Sequence, residues 1–200
     1  ERAGYDFSTV AIALDAAASS FYDTKTGKYY LDSRECTREE LLDTYLELVD
    51  RYPLISIEDP FHEDDFEMFA EITRILSDKI LIVGDDLFVT NIKRLEEGIK
   101  MNAANSILIK PNQVGTLSET METIDAAQRA GYRTILSHRS GEVEYDAIAD
   151  LAVGLQTGLI KTGAPARGER TAKYNRLIRI EELLGDSARF LGFNVFPRKP

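Results

Sequence analysis

Six short apolar runs recur along the chain: Val10-Ala11-Ile12-Ala13-Leu14, Leu54-Ile55-Ser56-Ile57, Ile80-Leu81-Ile82-Val83, Ser106-Ile107-Leu108-Ile109, Arg133-Thr134-Ile135-Leu136 and the weaker Gly158-Leu159-Ile160. Runs of this length without polar alternation predict strands buried on both faces of a parallel sheet. Helical periodicity fills the gaps. Thr37-Arg38-Glu39-Glu40 reads as a capping box ahead of Leu41, Leu42, Tyr45, Leu48 and Val49. Thr116-Leu117-Ser118-Glu119 reads as a second box, opening a helix that Gly131 closes. Further helices are expected over Asp64 to Leu76, Asn91 to Lys100, Tyr145 to Leu155 and Glu169 to Leu184. Strands alternating with helices predict an α/β fold of repeated βα units. No Pro/Gly/Ser-rich linker divides the chain, so residues 1–200 are read as one domain.

Each predicted strand is followed by an ionisable residue: Asp15, Glu58, Asp85, Lys110, His138 and Lys161. From Glu58 on, they recur at about the length of one βα unit. The longer first interval holds an insertion, Tyr22 to Cys36, rich in Lys, Gly, Tyr and Asp. Residues at the carboxyl ends of barrel strands converge on one mouth, where barrel active sites lie. Taken singly, any of them is more often a solvated charge or a helix cap, and Asp59, Asp64 and Asp86 fit that description. Six coinciding with six strand ends do not.

Composition narrows the chemistry. The chain has 200 residues, 24 Lys plus Arg against 34 Asp plus Glu, and a net charge of −10. That balance argues against a broad nucleic-acid surface, so an anionic ligand would need a local cluster of cations or a metal. The single cysteine, Cys36, cannot form an internal disulfide, which suits a reducing compartment such as the cytoplasm. No apolar run reaches a membrane-spanning length. The first residue is Glu1 rather than Met, and the chain is expected to be part of a longer protein.

Three carboxylates with no adjacent cysteine or histidine form a hard-oxygen donor set. Asp15, Glu58 and Asp85 would suit Mg²⁺, which prefers octahedral oxygen ligation. Lys110, His138-Arg139 and Lys161 then form a cationic arc, so a small carboxylate or phosphate ester would sit between metal and arc. A lysine partly buried among other cations is expected to have a lowered pKa and to serve as a general base.

The segments carrying these residues resemble enolase (phosphopyruvate hydratase) in order and spacing. They are Ala13-Leu14-Asp15, Ser56-Ile57-Glu58-Asp59-Pro60-Phe61, Gly84-Asp85-Asp86-Leu87-Phe88-Val89-Thr90-Asn91, Leu108-Ile109-Lys110-Pro111-Asn112-Gln113-Val114-Gly115-Thr116, Ser137-His138-Arg139-Ser140-Gly141-Glu142 and Ile160-Lys161-Thr162-Gly163-Ala164-Pro165. The likeness continues through Ala172-Lys173-Tyr174-Asn175 and covers nearly the whole chain. It implies a TIM-type (β/α) barrel, of which this chain holds the carboxyl-terminal six of eight strand–helix units. It also implies a glycolytic and gluconeogenic lyase that dehydrates 2-phosphoglycerate to phosphoenolpyruvate. On that resemblance Asp15, Glu58 and Asp85 are Mg²⁺ ligands and Lys110 is the base for the C2 proton. Arg139 and Ser140 bind the phosphate and a second metal, His138 lines the site and Lys161 contacts the substrate carboxylate. Glu58 and Asp85 also border the substrate. The pairing of a Lys or His base with Mg²⁺ is taken from the superfamily's general pattern. A homo-oligomer, dimeric or larger, is implied for the full-length form.

Two departures qualify the likeness. Val143-Glu144-Tyr145 stand where the family usually has Thr-Glu-Asp, with a local effect expected at the start of the next helix. The family's amino-terminal domain, mobile serine loop, first two barrel strands and general-acid glutamate all precede the position of Asp15. Glu63 and Glu142 belong to motifs with other positions in the family, so neither is assigned the acid's part. The chain alone is therefore expected to be inactive, with six strands leaving two unpaired sheet edges. The alternative is a non-catalytic module that keeps the ligand geometry for binding or assembly. A racemase or cycloisomerase of the same superfamily fits less well, because the Ser-His-Arg-Ser and Lys-Thr-Gly-Ala-Pro segments match enolase.

Overall fold

A computed structural model describes residues 3–198. The first strand, β1 (Ile12–Asp15), leads through a 3-10 turn (Ala18–Phe21) into three short strands, β2 (Tyr22–Asp23), β3 (Lys28–Leu31) and β4 (Arg34–Cys36). Then follow α1 (Arg38–Arg51), β5 (Leu54–Glu58), α2 (Phe66–Leu76), β6 (Leu81–Gly84), α3 (Ile92–Met101) and β7 (Ser106–Ile109). The remainder comprises α4 (Pro111–Val114), α5 (Leu117–Arg129), β8 (Arg133–Ser137), α6 (Ala147–Gly154), β9 (Gly158–Lys161) and α7 (Gly168–Leu184). Two 3-10 turns, Gly185–Ser187 and Gly192–Val195, close the described chain.

The six expected strands form one parallel sheet in the order β1-β5-β6-β7-β8-β9. Sequential neighbours pair because each connecting helix returns the chain to the next strand start. The sheet curls into six strands of an α/β barrel: Lys161 at the end of β9, one sheet edge, places its Nζ 2.9 Å from Asp15 Oδ2 at the end of β1, the other edge. Among the described residues neither edge strand has a second strand partner.

Both faces of the central strands are covered. Ile82, Ile107 and Ile109 join the large cluster under the helices, together with Phe69 and Ile72 of α2 and Leu41 of α1. Leu81, Val83 and Leu108 form a smaller cluster with Ile135, Leu159 and Phe196 of the carboxyl-terminal segment. Two-sided burial is the reason these runs show no polar alternation.

Caps set the helix starts. Thr37 and Glu40 make the reciprocal capping box ahead of α1, Asp65 caps α2 and Asn91 caps α3. At α5 the expected box is only half made. Thr116 Oγ1 accepts the Glu119 N–H, but the Glu119 carboxylate takes the Thr116 hydroxyl rather than its backbone N–H. The first strand starts at Ile12, and Val10 is exposed ahead of it. The insertion after β1 is a small antiparallel sheet, β2-β3-β4. It buries Tyr29 against Phe61, whose ring also packs edge-on against Tyr45 and Phe69.

One close approach yields a stability test. The buried Phe88 ring lies against Gly84 of β6 and Gly98 of α3, and a Cβ at Gly98 would overlap it. Alanine inside a helix normally gains about 1 kcal/mol over glycine. Overpacking a buried aromatic ring costs about 1–3 kcal/mol, so the steric term wins. Gly98→Ala is expected to lower the urea midpoint of the chain; a raised midpoint would refute this packing.

Candidate active site at the strand carboxyl ends

The six ionisable residues lie where their spacing puts them. Asp15, Glu58 and Lys161 are the last residues of β1, β5 and β9, while Asp85, Lys110 and His138 immediately follow β6, β7 and β8. Asp15 and Glu58 are register partners. The Lys161 ammonium spans both carboxylates, 2.9 Å from Asp15 and 2.7 and 2.8 Å from the two Glu58 oxygens. Lys110 Nζ donates to Asp85 Oδ2. The other Asp85 oxygen, Oδ1, is buried with no hydrogen-bond partner among the described residues. An orphaned carboxylate oxygen in a buried site is costly unless a cation or donor completes it.

The charges are coupled. Burial pushes the Glu58 carboxyl up to about 7 against the opposing pull of Lys161. Burial alone would lower the Lys161 pKa, but its bonds to Glu58 and Asp15 outweigh this and raise it. A lysine among other cations is expected to have a lowered pKa; for Lys161 the outcome is the reverse, because its nearest partners are carboxylates. His138 is held below its usual value by burial and then by the Arg170, Lys161 and Lys110 charges.

A second acidic group overlaps the first. Asp59, Asp85 and Asp86 bring one oxygen each within 4.8 Å of one another, a spacing that Asp15, Glu58 and Asp85 do not reach together. Both Asp59 oxygens are already engaged, however. Oδ1 accepts the Asp85 N–H and Oδ2 the Asp86 N–H, each at 2.8 Å. Asp59 is buried, sits in the left-handed region at φ 43°, and is pushed up to about 7 by burial. Its carboxylate thus shapes the turn that presents Asp85. Asp64, by contrast, makes an exposed pair with Arg94 at 3.0 Å.

Lys110 is supported by a strained turn. Val89 and Thr90, both β-branched, have φ of 45° and 55°, a region such residues rarely occupy. Thr90 Oγ1 accepts the Lys110 N–H at 2.9 Å and donates to Gln113 Oε1 at 2.6 Å. Thr123 Oγ1 in turn donates to the Thr90 carbonyl at 3.1 Å. Pro111 at the first position of α4 begins the turn directly after Lys110.

The loop after β8 carries Arg139 and Ser140 on the exposed rim. Arg139 Nη1 donates to Asn112 Oδ1 at 3.1 Å, and its N–H to Glu142 Oε2 at 3.2 Å. Helix α7 supports the same loop through the fully buried Lys173, which donates to the Val143 carbonyl and, at 2.8 Å, to the Glu169 carbonyl. Val143 and Tyr145 are exposed, and α6 begins only at Ala147 with no side-chain cap. The helix predicted over Tyr145 to Leu155 thus starts two residues later than its predicted first residue. Asp59, expected to be a solvated charge or helix cap, is instead buried and holds the Asp85 turn; Thr90 and Lys173 stand in the matched segments without an assigned role, and Arg170 lies outside them.

Residues 1–199 match the family described as enolase, C-terminal TIM barrel domain. The chain belongs to the enolase family. It is 61% identical over 194 residues to the enolase of Methanocaldococcus jannaschii, covering 97% of this chain and 44% of that protein. It is 60% identical over 200 residues to the enolase of Thermococcus gammatolerans, covering 100% of this chain and 45% of that protein. This enolase domain therefore spans less than half the length of these curated relatives. Among its described residues no helix is long and apolar enough to cross a membrane.

Proposed function

We propose that the protein containing this domain dehydrates 2-phosphoglycerate to phosphoenolpyruvate with Mg²⁺ as cofactor. The observation that carries the reading is the mouth of the half-barrel. Three carboxylates stand beside two lysines there, with Asp85 Oδ1 buried and without a partner among the described residues. Asp15, Glu58 and Asp85 would hold the cation: all three offer hard oxygens, and Asp85 Oδ1 lacks a partner among the described residues. Asp15 and Glu58 would exchange their Lys161 contacts for the ion and draw together around it. When bound, the cation supplies positive charge that stabilises negative charge developing on the substrate carboxylate.

The chain's own side chains do the rest. Lys110 Nζ takes the C2 proton, and the electron pair of that C–H bond becomes the C2=C3 double bond as the C3–O bond breaks. The departing hydroxide is protonated to water by an acid outside these 200 residues. Lys161 orients the substrate carboxylate, Arg139 and Ser140 hold the phosphate, and His138 lines the pocket. The expected setting is a cytoplasmic homo-oligomer acting on a small anionic substrate. The 200-residue chain alone is expected to leave 2-phosphoglycerate unchanged.

The test is phosphoenolpyruvate formation by the full-length protein, followed by its ultraviolet absorbance. Exhaustive chelation should abolish turnover, and Mg²⁺ should restore it. Full turnover after chelation would exclude the metal role, and no turnover with Mg²⁺ would exclude the reaction.

A further inference from the structure

Arg170 lies in the first turn of α7, and its side chain is only 12% exposed. One guanidinium engages three consecutive residues of the loop after β8. Nη1 contacts His138 Nδ1 and donates to the Arg139 carbonyl at 3.0 Å, while Nη2 donates to the Ser140 carbonyl at 3.2 Å. Space for the side chain is left by Gly163, where a Cβ would come within 2.8 Å of Arg170 Cδ and 3.1 Å of His138 Cε1. Tyr174, one turn further along α7, donates its hydroxyl to the Gly163 carbonyl. The helix therefore anchors the loops after both β8 and β9.

A guanidinium carries donors and no acceptor. His138 Nδ1 must then accept, and the proton of the neutral ring must sit on Nε2. We propose that Arg170 is a positioning residue of the reaction proposed above. It sets the Nε2–H tautomer of His138 and fixes the backbone that presents Arg139 and Ser140 to the phosphate. No other side-chain type spans these three acceptors as well. Lysine has a point charge in place of a planar fork, and methionine has no donor.

The experiment uses the full-length protein with ¹⁵N-labelled histidine at mildly alkaline pH, the His138 signals being assigned as those lost in His138→Gln. Wild type should show a protonated Nε2 and a bare Nδ1, and Arg170→Met should show a mixture of tautomers. Kinetics should show kcat/KM for 2-phosphoglycerate falling by roughly 10²-fold in Arg170→Met, with KM raised as well as kcat lowered. Arg170→Lys should recover only part of the loss, and it serves as the folded comparison if the methionine variant fails to fold. A proton on Nδ1 in wild type, an unchanged tautomer in Arg170→Met, or full activity in Arg170→Lys would overturn the proposal. Should wild type form no phosphoenolpyruvate, the reaction itself fails, and that result is separate because the tautomer is read without turnover.

Discussion

Lys110→Ala in the full-length protein is expected to lower kcat for phosphoenolpyruvate formation by about 10³-fold or more, within the range for losing a general base, with little change in KM. The side chain is largely buried, and its backbone is pinned by Thr90 and the turn at Pro111. Truncation is therefore expected to remove the proposed proton acceptor without moving Asp15, Glu58 or Asp85 at the ends of β1, β5 and β6. It also removes the ammonium paired with Asp85. Mg²⁺ affinity, read by calorimetry, should be retained or increased. That combination separates loss of a base from loss of the site. Turnover within tenfold of wild type would remove Lys110 from the role assigned to it.

Asp59→Ala should damage both stability and metal binding. Its two oxygens accept the N–H groups of Asp85 and Asp86. Each buried donor left unpaired costs about 1–3 kcal/mol. The left-handed backbone at φ 43° adds about 1–2 kcal/mol for an alanine. Against this, removal of a carboxylate that burial has already pushed up to about 7 relieves some desolvation. The orphaned amides should prevail, and a net loss of about 2–4 kcal/mol is expected in urea denaturation of the chain. Asp59→Asn keeps one acceptor oxygen and tolerates the left-handed backbone, so it should fall between alanine and wild type. In the full-length protein the apparent Mg²⁺ affinity should fall in the same order, because the turn carrying Asp85 relaxes. Unchanged stability in Asp59→Ala would show that the two amides find other partners.

The strand ends and the helices were legible for a local reason. A strand buried on both faces needs a continuous apolar run, and a helix start needs its capping side chain within three residues. Both signals are complete in a short window, as at Leu54–Glu58 and Thr37–Glu40. The half-made cap at Thr116 marks the limit, since which partner the Glu119 carboxylate takes depends on geometry rather than residue type. The fifteen-residue insertion showed no alternating pattern strong enough to announce a sheet. Its strands are two to four residues long and are secured by burial of Tyr29 against Phe61, 32 positions away.

By itself, the sequence determined the α/β alternation, the six ionisable residues at six strand ends, and the ordered motifs that place the chain in the enolase family. Tertiary structure decided how those residues meet. Lys161 reaches Asp15 across 146 positions because the sheet curls until its edges face each other. Asp59 grips the amides of Asp85 and Asp86, and Arg170 grips the carbonyls of Arg139 and Ser140. Every residue has a backbone carbonyl, and nearly every residue has an N–H. A side chain that bonds to them therefore leaves no signature at the other end of the contact, and only the folded chain shows which ones it holds.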